Sequence, residues 1–354
     1  MEDVDDDEQV DDEELEDVDV EELVEDEEPE DDDELEELEV VDEPDDGELE
    51  EVEFEDELVE LSGDEEMGDA GYGEDETNKA RVLAEEFNDA LSSMDRFYNQ
   101  YLLIPQGEYT IGSKKHVNED RPERKVSIEA FYFGEFPVTN ALFEVFVENT
   151  GYKTTAEILG YGVVYKGRYQ KIMNDETGME MFNWNSSLES NIVEGAFWYQ
   201  PLGPGSTLYN KRSHPVIQVS LKDAMAFASW TGKRLPSEDE WEAASRTKKG
   251  YKYPWGKRFR KNACNIEESY IGDTTPVDQY KKYSNSLGIA DTFGNVFEWT
   301  LDRAEPSLNG EPNLDFFIVK GRNWVSDKIL GLSSRLKMES RKTSNILGFR
   351  CVAY

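Results

Sequence analysis

The chain has little of what most catalytic or secreted proteins are built around. Its 354 residues include two cysteines, Cys264 and Cys351, and two histidines, His116 and His214. Two cysteines exclude a disulfide framework and suit free thiols in a reducing compartment. One histidine per segment, with no H-x-x-x-H spacing, excludes a histidine-built zinc or iron site. No apolar run approaches the ~18 residues of a membrane helix. The start, MEDVDDDEQV, lacks the basic and apolar stretches of a signal peptide. A cytoplasmic location is therefore expected, and Asn185-Ser186-Ser187 is discounted as a glycosylation acceptor. There is no G-x-S-x-G and no phosphate-binding glycine loop, which removes two common enzyme classes.

Basic residues are nearly absent from one end. Residues 1–80 hold 46 acids and one base, whereas residues 81–354 hold 35 of each. The net charge of −45 thus belongs to the N-terminal part and the body is neutral. Residues 1–76 are expected to be a disordered acidic tail. Their like charges repel and they bury too little apolar surface to offset ordering entropy. Short Leu, Val and Phe insertions at 35–41 and 51–61 alternate with the acids. Such segments can fold against a basic, partly apolar partner, or serve simply as a solubilising tail.

What is present begins with periodicity. Leu83, Phe87, Ala90, Met94, Phe97 and Tyr101 recur at helical spacing, which predicts an amphipathic helix over 77–102 capped by Thr77 or Asn78. From 103 the pattern turns to short strands between Gly/Pro turns, at 104–113 and 125–139. A helix is predicted over 140–151, stopped by Gly151, and residues 152–212 read as irregular. Residues 220–246 read as two helices around a Gly–Pro break, with Ser237 and Glu240 forming a capping box. The remainder reads as mostly loop.

Six separated motifs then carry a family resemblance: IPQGEYTIGS, AFYFGEFPVTNALFEVFVENTGY, HPVIQVSLKDAMAFASWTGKRLPSEDEWEAASR, YPWG, GIADTFGNVFEWT and LGFRC. In this order they resemble the formylglycine-generating enzyme, or sulfatase-modifying factor, family across 103–354. The resemblance implies an α+β fold of C-type-lectin-like kind, low in regular structure and often stabilised by calcium. Catalytic members oxidise a sulfatase cysteine to formylglycine with two copper-binding cysteines, soft ligands for a soft metal. Here Ser326 and Gly331 stand at those two positions, so neither copper nor that oxidation is expected. Cys351 matches the cysteine of the closing motif, whose usual disulfide partner position falls at Ser245. The resemblance thus implies a buried free thiol there. The histidine cluster of the family's sulfoxide synthases is missing.

The same resemblance implies a calcium site at Asp291, Gly294, Val296 and Glu298, mixing carboxylates with carbonyls as calcium prefers. The alternative is a loop that folds without metal, with Glu298 bonded to backbone amides and Trp299 in the core. A second family calcium site keeps Asn265-Ile266, and Glu267, Glu268 or Asp273 are its only candidates for the rest. Residues 245–262 carry eight basic residues, no acid, and Tyr251, Tyr253, Trp255 and Phe259 between them. Read alone this is a nucleic-acid surface. A tail of −45 beside it would screen phosphate binding, so nucleic acid is not expected; the readings that remain are a solvated basic face, with some of the YPWG aromatics in the core, and docking of the acidic tail. Trp324, Ser326, Asp327, Ser333, Ser334 and Arg335 are the expected ligand-binding residues, an aromatic anchor and an arginine among adaptable hydroxyls. By analogy with diversified phage and bacterial members, the expected function is a catalytically inactive module that binds a protein or peptide, within a virion if phage-encoded. The alternatives are an assembly protein organised by tail and helix, oligomeric in that case, and an enzyme of altered chemistry.

Overall fold

A computed structural model describes residues 74–114, 121–174, 177–305 and 315–353. The acidic segment 1–73 lies outside them, as does His116.

The expected 77–102 helix is two helices. Helix α1 spans Glu74–Ala90 and α2 spans Ser93–Tyr98. Ser92 makes the break: its backbone is extended and its hydroxyl accepts the Asp95 amide at 3.2 Å. Serine competes for backbone groups in this way and favours caps over helix interiors. The break resets the phase of the apolar stripe. Phe87 and Leu91 are buried, whereas Met94 and Phe97 are 74% and 42% exposed. The start at Glu74 also precedes the expected cap at Thr77 or Asn78.

Strands β1 (Tyr101–Ile104), β4 (Phe131–Gly134) and β13 (Val352–Ala353) form one sheet with β4 in the middle, both pairings antiparallel. Strands β2 (Gly107–Ile111) and β3 (Arg124–Ile128) pair with each other. Helix α3 covers Asn140–Thr150 and stops at Gly151, whose φ of 66° is left-handed and costs glycine little.

The stretch 152–212 is more regular than its composition suggests. It holds α4 (Thr155–Leu159) and two antiparallel pairs, β5 (Tyr161–Lys166) with β8 (Glu189–Glu194) and β6 (Tyr169–Met173) with β7 (Glu180–Trp184). The β6–β7 ribbon packs little onto the core, with Met173, Met181 and Trp184 exposed, whereas β5 buries the consecutive residues Gly162, Val163 and Val164. A strand without one buried face shows no period-two alternation, so its sequence gives no strand signal.

Helices α5 (Leu221–Trp230) and α6 (Glu238–Arg246) follow, each opened by a capping box, Ser220 with Asp223 and Ser237 with Glu240. Four strands close the fold in the order β11 (Arg335–Glu339), β10 (Phe316–Lys320), β9 (Phe297–Arg303), β12 (Leu347–Gly348), with β12 parallel to β9. Two apolar clusters flank this sheet. One gathers Phe143, Phe146, Phe227, Trp299, Trp324 and Phe349; the other gathers Tyr109, Phe133, Trp241, Tyr253 and Phe293. No helix among the described residues is long and apolar enough to cross a membrane.

Candidate functional site

The loop that enters β9 is where the two clusters meet. Asp291 and Asn295 adopt left-handed φ values of 59° and 68°, and Gly294 sits at 104°. Gly294 is required for a second reason: a Cβ there would come within 2.4 Å of the Asn265 carbonyl. The Asn295 amide donates to that same carbonyl at 2.7 Å. The Asn295 side chain then ties three segments together. It donates to Asp291 at 2.7 Å and to the Thr275 carbonyl at 3.1 Å, and accepts from the Thr275 amide at 2.9 Å. Burial pushes the Asp291 carboxyl up to about 8.

Glu298, two residues into the strand that follows, has a different environment. Its Oε2 accepts Trp241 Nε1 at 2.7 Å and Arg350 Nε at 2.6 Å, and its Oε1 accepts Arg350 Nη2 at 2.7 Å. The rest of the Arg350 guanidinium donates to the carbonyls of Gly134, Glu135, Ala290 and Asp291 at 3.0–3.3 Å. Both side chains are buried. Sequence reading placed Arg350 only in the closing motif; the signal for its role was a lone cation in an apolar stretch, ILGFRCVAY, which needs a buried carboxylate.

The loop was therefore tested against the calcium that the family implies. Asp291 fits, a buried carboxylate that accepts a hydrogen bond from Asn295, beside the Thr292 hydroxyl, which has no hydrogen-bond partner among the described residues. The carbonyls of Gly294 and Val296 belong to the same turn, although the Gly294 carbonyl accepts the Val296 amide at 2.9 Å. Glu298 fits less well, because a guanidinium already neutralises it. Trp299 fills the core with its indole on the Val219 carbonyl, while Glu298 is bonded by the Trp241 and Arg350 side chains and not by the backbone amides expected of a metal-free loop. Among the described residues no cluster of three or more His, Cys, Asp or Glu side chains is arranged to hold a metal. At the second expected site, Asn265 spends its side chain on the Asp273 carbonyl, Asn295 and Ser269, and Glu267 pairs with Arg168 at 2.9 Å.

The segment expected to present a ligand surface is mostly inside. Trp324 is 4% exposed and donates its indole N–H to the Asn345 carbonyl at 3.1 Å, so it is a core residue and no exposed anchor. Ser326 and Ser334 are buried, and Arg335 is held at 3.0 Å by the buried Glu238. All four lie inside and offer no ligand surface: Trp324 packs in the cluster of Phe143 and Phe227, Ser326 bonds Asn323, Ser334 is buried in the turn after Gly331, and Arg335 bonds Glu238 of α6. Asp327, at 3.1 Å from Arg322, and Ser333 are half-buried and remain at the surface.

The two positions matched to the catalytic cysteines are also shaped against that chemistry. The Ser326 hydroxyl donates to Asn323 Oδ1 at 3.0 Å and accepts the Asn323 amide at 3.2 Å. Gly331 has no room for a side chain, since a Cβ would lie 2.6 Å from Lys252 Cγ. Cys264 and Cys351 are both buried and free, and burial pushes each thiol up to about 12.

What the sequence did not reveal is an aromatic group beside this spot. Tyr169 and Tyr270 meet edge to face at 4.6 Å, and Trp184 lies 6.4 Å from Tyr169. Arg168 and Glu267 join this group to Ser326, because the Glu267 amide donates to the Ser326 carbonyl.

Short strands, capped helices and long ordered loops around two aromatic clusters define an α+β scaffold of C-type-lectin-like kind. A solved structure supports the fold: PvdO from Pseudomonas aeruginosa superposes with a TM-score of 0.50 at 19% identity, covering 72% of this chain and 94% of that one. The chain belongs to the sulfatase-modifying factor enzyme 1-like domain family, whose profile matches residues 87–354. It is 33% identical over 270 residues to an inactive C-alpha-formylglycine-generating enzyme 2 of Bos taurus, covering 71% of this chain and 86% of the relative. It is also 33% identical over 279 residues to a formylglycine-generating enzyme of Bos taurus, with 71% and 73% covered. Helices α1 and α2 thus fall partly inside the family match, which begins earlier than the 103 expected from the motifs.

Proposed function

We propose that this chain is a non-catalytic member of its family, a module that binds a protein or peptide. The observation that carries the reading is the pair Ser326 and Gly331. A hydroxyl tied to Asn323 replaces one soft ligand, and a glycine packed on Lys252 replaces the other. The remaining thiols lie in the core as protonated side chains, unsuited to copper or to oxygen activation. Relatives of equal identity include one named inactive and one named as the enzyme, so identity does not decide the matter.

The binding face of this reading is bordered by Tyr169, Trp184 and Tyr270, with Asp327 and Ser333 at the turn. Exposed aromatics at low entropic cost are the usual anchors of such faces. Calcium belongs to the reading as a structural ion, held by Asp291 and the carbonyls of Gly294 and Val296, with Glu298 withdrawn onto Arg350. When bound it would supply the positive charge that the buried Asp291 lacks.

The test is direct. The full chain, given copper, oxygen and a sulfatase-type C-x-P-x-R peptide, should form no aldehyde. Turnover above a heat-killed control overturns the reading.

A further inference from the structure

The basic run 245–262 has no counterpart in this function. Three of its four aromatics are turned inward, with Tyr251 half-buried beneath Lys249: Tyr253 is buried against Phe293 at 5.1 Å, Trp255 stacks on Tyr253 at 5.7 Å, and Phe259 packs on Tyr253 at 5.8 Å. Turning the rings in turns the charges out. Lys248, Lys249, Lys257, Arg258, Arg260 and Lys261 are all exposed. Among the described residues none of these six is in an ion pair. The flanking acids are already committed, Glu242 to Arg246 at 2.6 Å and to Lys320 at 2.9 Å, and Glu267 to Arg168.

This placement separates two partners. A single-stranded nucleic acid needs exposed rings on which its bases stack, and here the rings are spent on the core. An acidic polypeptide needs only exposed cations spaced along a surface. The sequence supplies such a polypeptide, since residues 1–73 hold nearly all of the acid excess of a chain whose body is neutral. A tethered segment reaches a face of its own chain at millimolar effective concentration, ahead of any free polyanion.

We propose that the exposed cations of 248–261 are the docking surface for the acidic segment 1–73 of the same chain. The contact is electrostatic and loose. It requires no fixed register, since the cations lie on irregular chain and the acids recur at almost every position. It neutralises a face whose six cations are in no ion pair among the described residues, and releases that face at high salt or when a more basic partner captures the segment.

Carbodiimide cross-linking of the full chain, read by mass spectrometry, tests this. At about 0.1 M salt, zero-length amide links are expected between acids of 1–73 and Lys257, Lys261, Lys248 or Lys249. At about 1 M salt, where the screening length falls from ~10 Å to ~3 Å, the yield should drop at least fivefold. Arg258→Glu with Arg260→Glu leaves the reporter lysines in place and should cause a similar drop with an unchanged circular dichroism spectrum. Links from 1–73 to lysines spread over the whole body, or a yield indifferent to the two substitutions, overturn the proposal. So do links that form only between chains and scale with concentration, which assign the face to a second copy. Binding of a DNA oligonucleotide to the full chain at 0.15 M salt, lost in the double variant, assigns it to nucleic acid.

Discussion

Arg350→Met should be the most damaging single change in the described fold. The side chain is fully buried and makes six hydrogen bonds, two to Glu298 and four to the carbonyls of Gly134, Glu135, Ala290 and Asp291. Removing the cation leaves Glu298 buried and charged with Trp241 as its one remaining side-chain partner among the described residues. Breaking a buried pair on one side costs about 3–5 kcal/mol, against a total stability of about 5–15 kcal/mol for a domain. The four carbonyls add to this wherever water cannot reach them. Urea unfolding of the full chain, followed by tryptophan fluorescence, measures the loss, and Trp241 reports on the site directly. Arg350→Lys keeps the charge without the planar fork and should lose about 2 kcal/mol. The double variant Glu298→Gln/Arg350→Met should cost less than the sum of the two single changes by more than about 1 kcal/mol, because the second change removes the stranded partner. A loss below about 1 kcal/mol for Arg350→Met, or strict additivity, would refute the account of this pair as the tie between the loop and the sheets.

Trp324→Ala should cost about 3–5 kcal/mol in the same assay, as befits a core tryptophan; a change near zero would restore it to the surface. Calcium at a hundredfold excess over its dissociation constant should stabilise the chain by about 2.7 kcal/mol, and Asp291→Ala should abolish the gain; equal melting temperatures in calcium and in chelator would remove the ion from the proposal. His214, desolvated and close to Lys211, is held down to about 4 while it accepts or donates a hydrogen bond with Thr274 at 3.0 Å. Its unfolded value is near 6.5, so the unfolded chain binds the extra proton between those values, and stability should fall as pH drops from about 6.5 towards 4. In His214→Gln that part of the pH dependence should be missing, and an unaltered slope would assign it to other groups.

Much of this was legible in the sequence for a physical reason. Caps and stops are local: Ser237 with Glu240 and the glycine at 151 fix their helix ends within four residues, whatever surrounds them. The ribbons of 161–194 were illegible because neither the exposed β6–β7 pair nor the consecutively buried Gly162, Val163 and Val164 shows the alternation that announces a strand. The break at Ser92 was illegible because the apolar spacing continues through it, and only the packing of Leu91 and Tyr98 against the body decides between one helix and two. In the site, residue types were legible and partners were not. Glu298 reads as a metal ligand until Arg350, 52 positions later, is found on both its oxygens. Trp324 reads as an anchor until Asn345 is found to take its N–H.

Arg350 also sets an order of events during synthesis. It bonds to Gly134, 216 residues before it, and β13 pairs with β4 over a similar separation. The elements it fastens are therefore made long before their fastener. Until residue 350 emerges, β4 has one neighbour instead of two, and Glu298 is a carboxylate without its cation. Closure over so long a loop is slow. A nascent chain of this protein must keep its first sheet half-built and its aromatic clusters uncovered, which is the interval in which it most needs a chaperone.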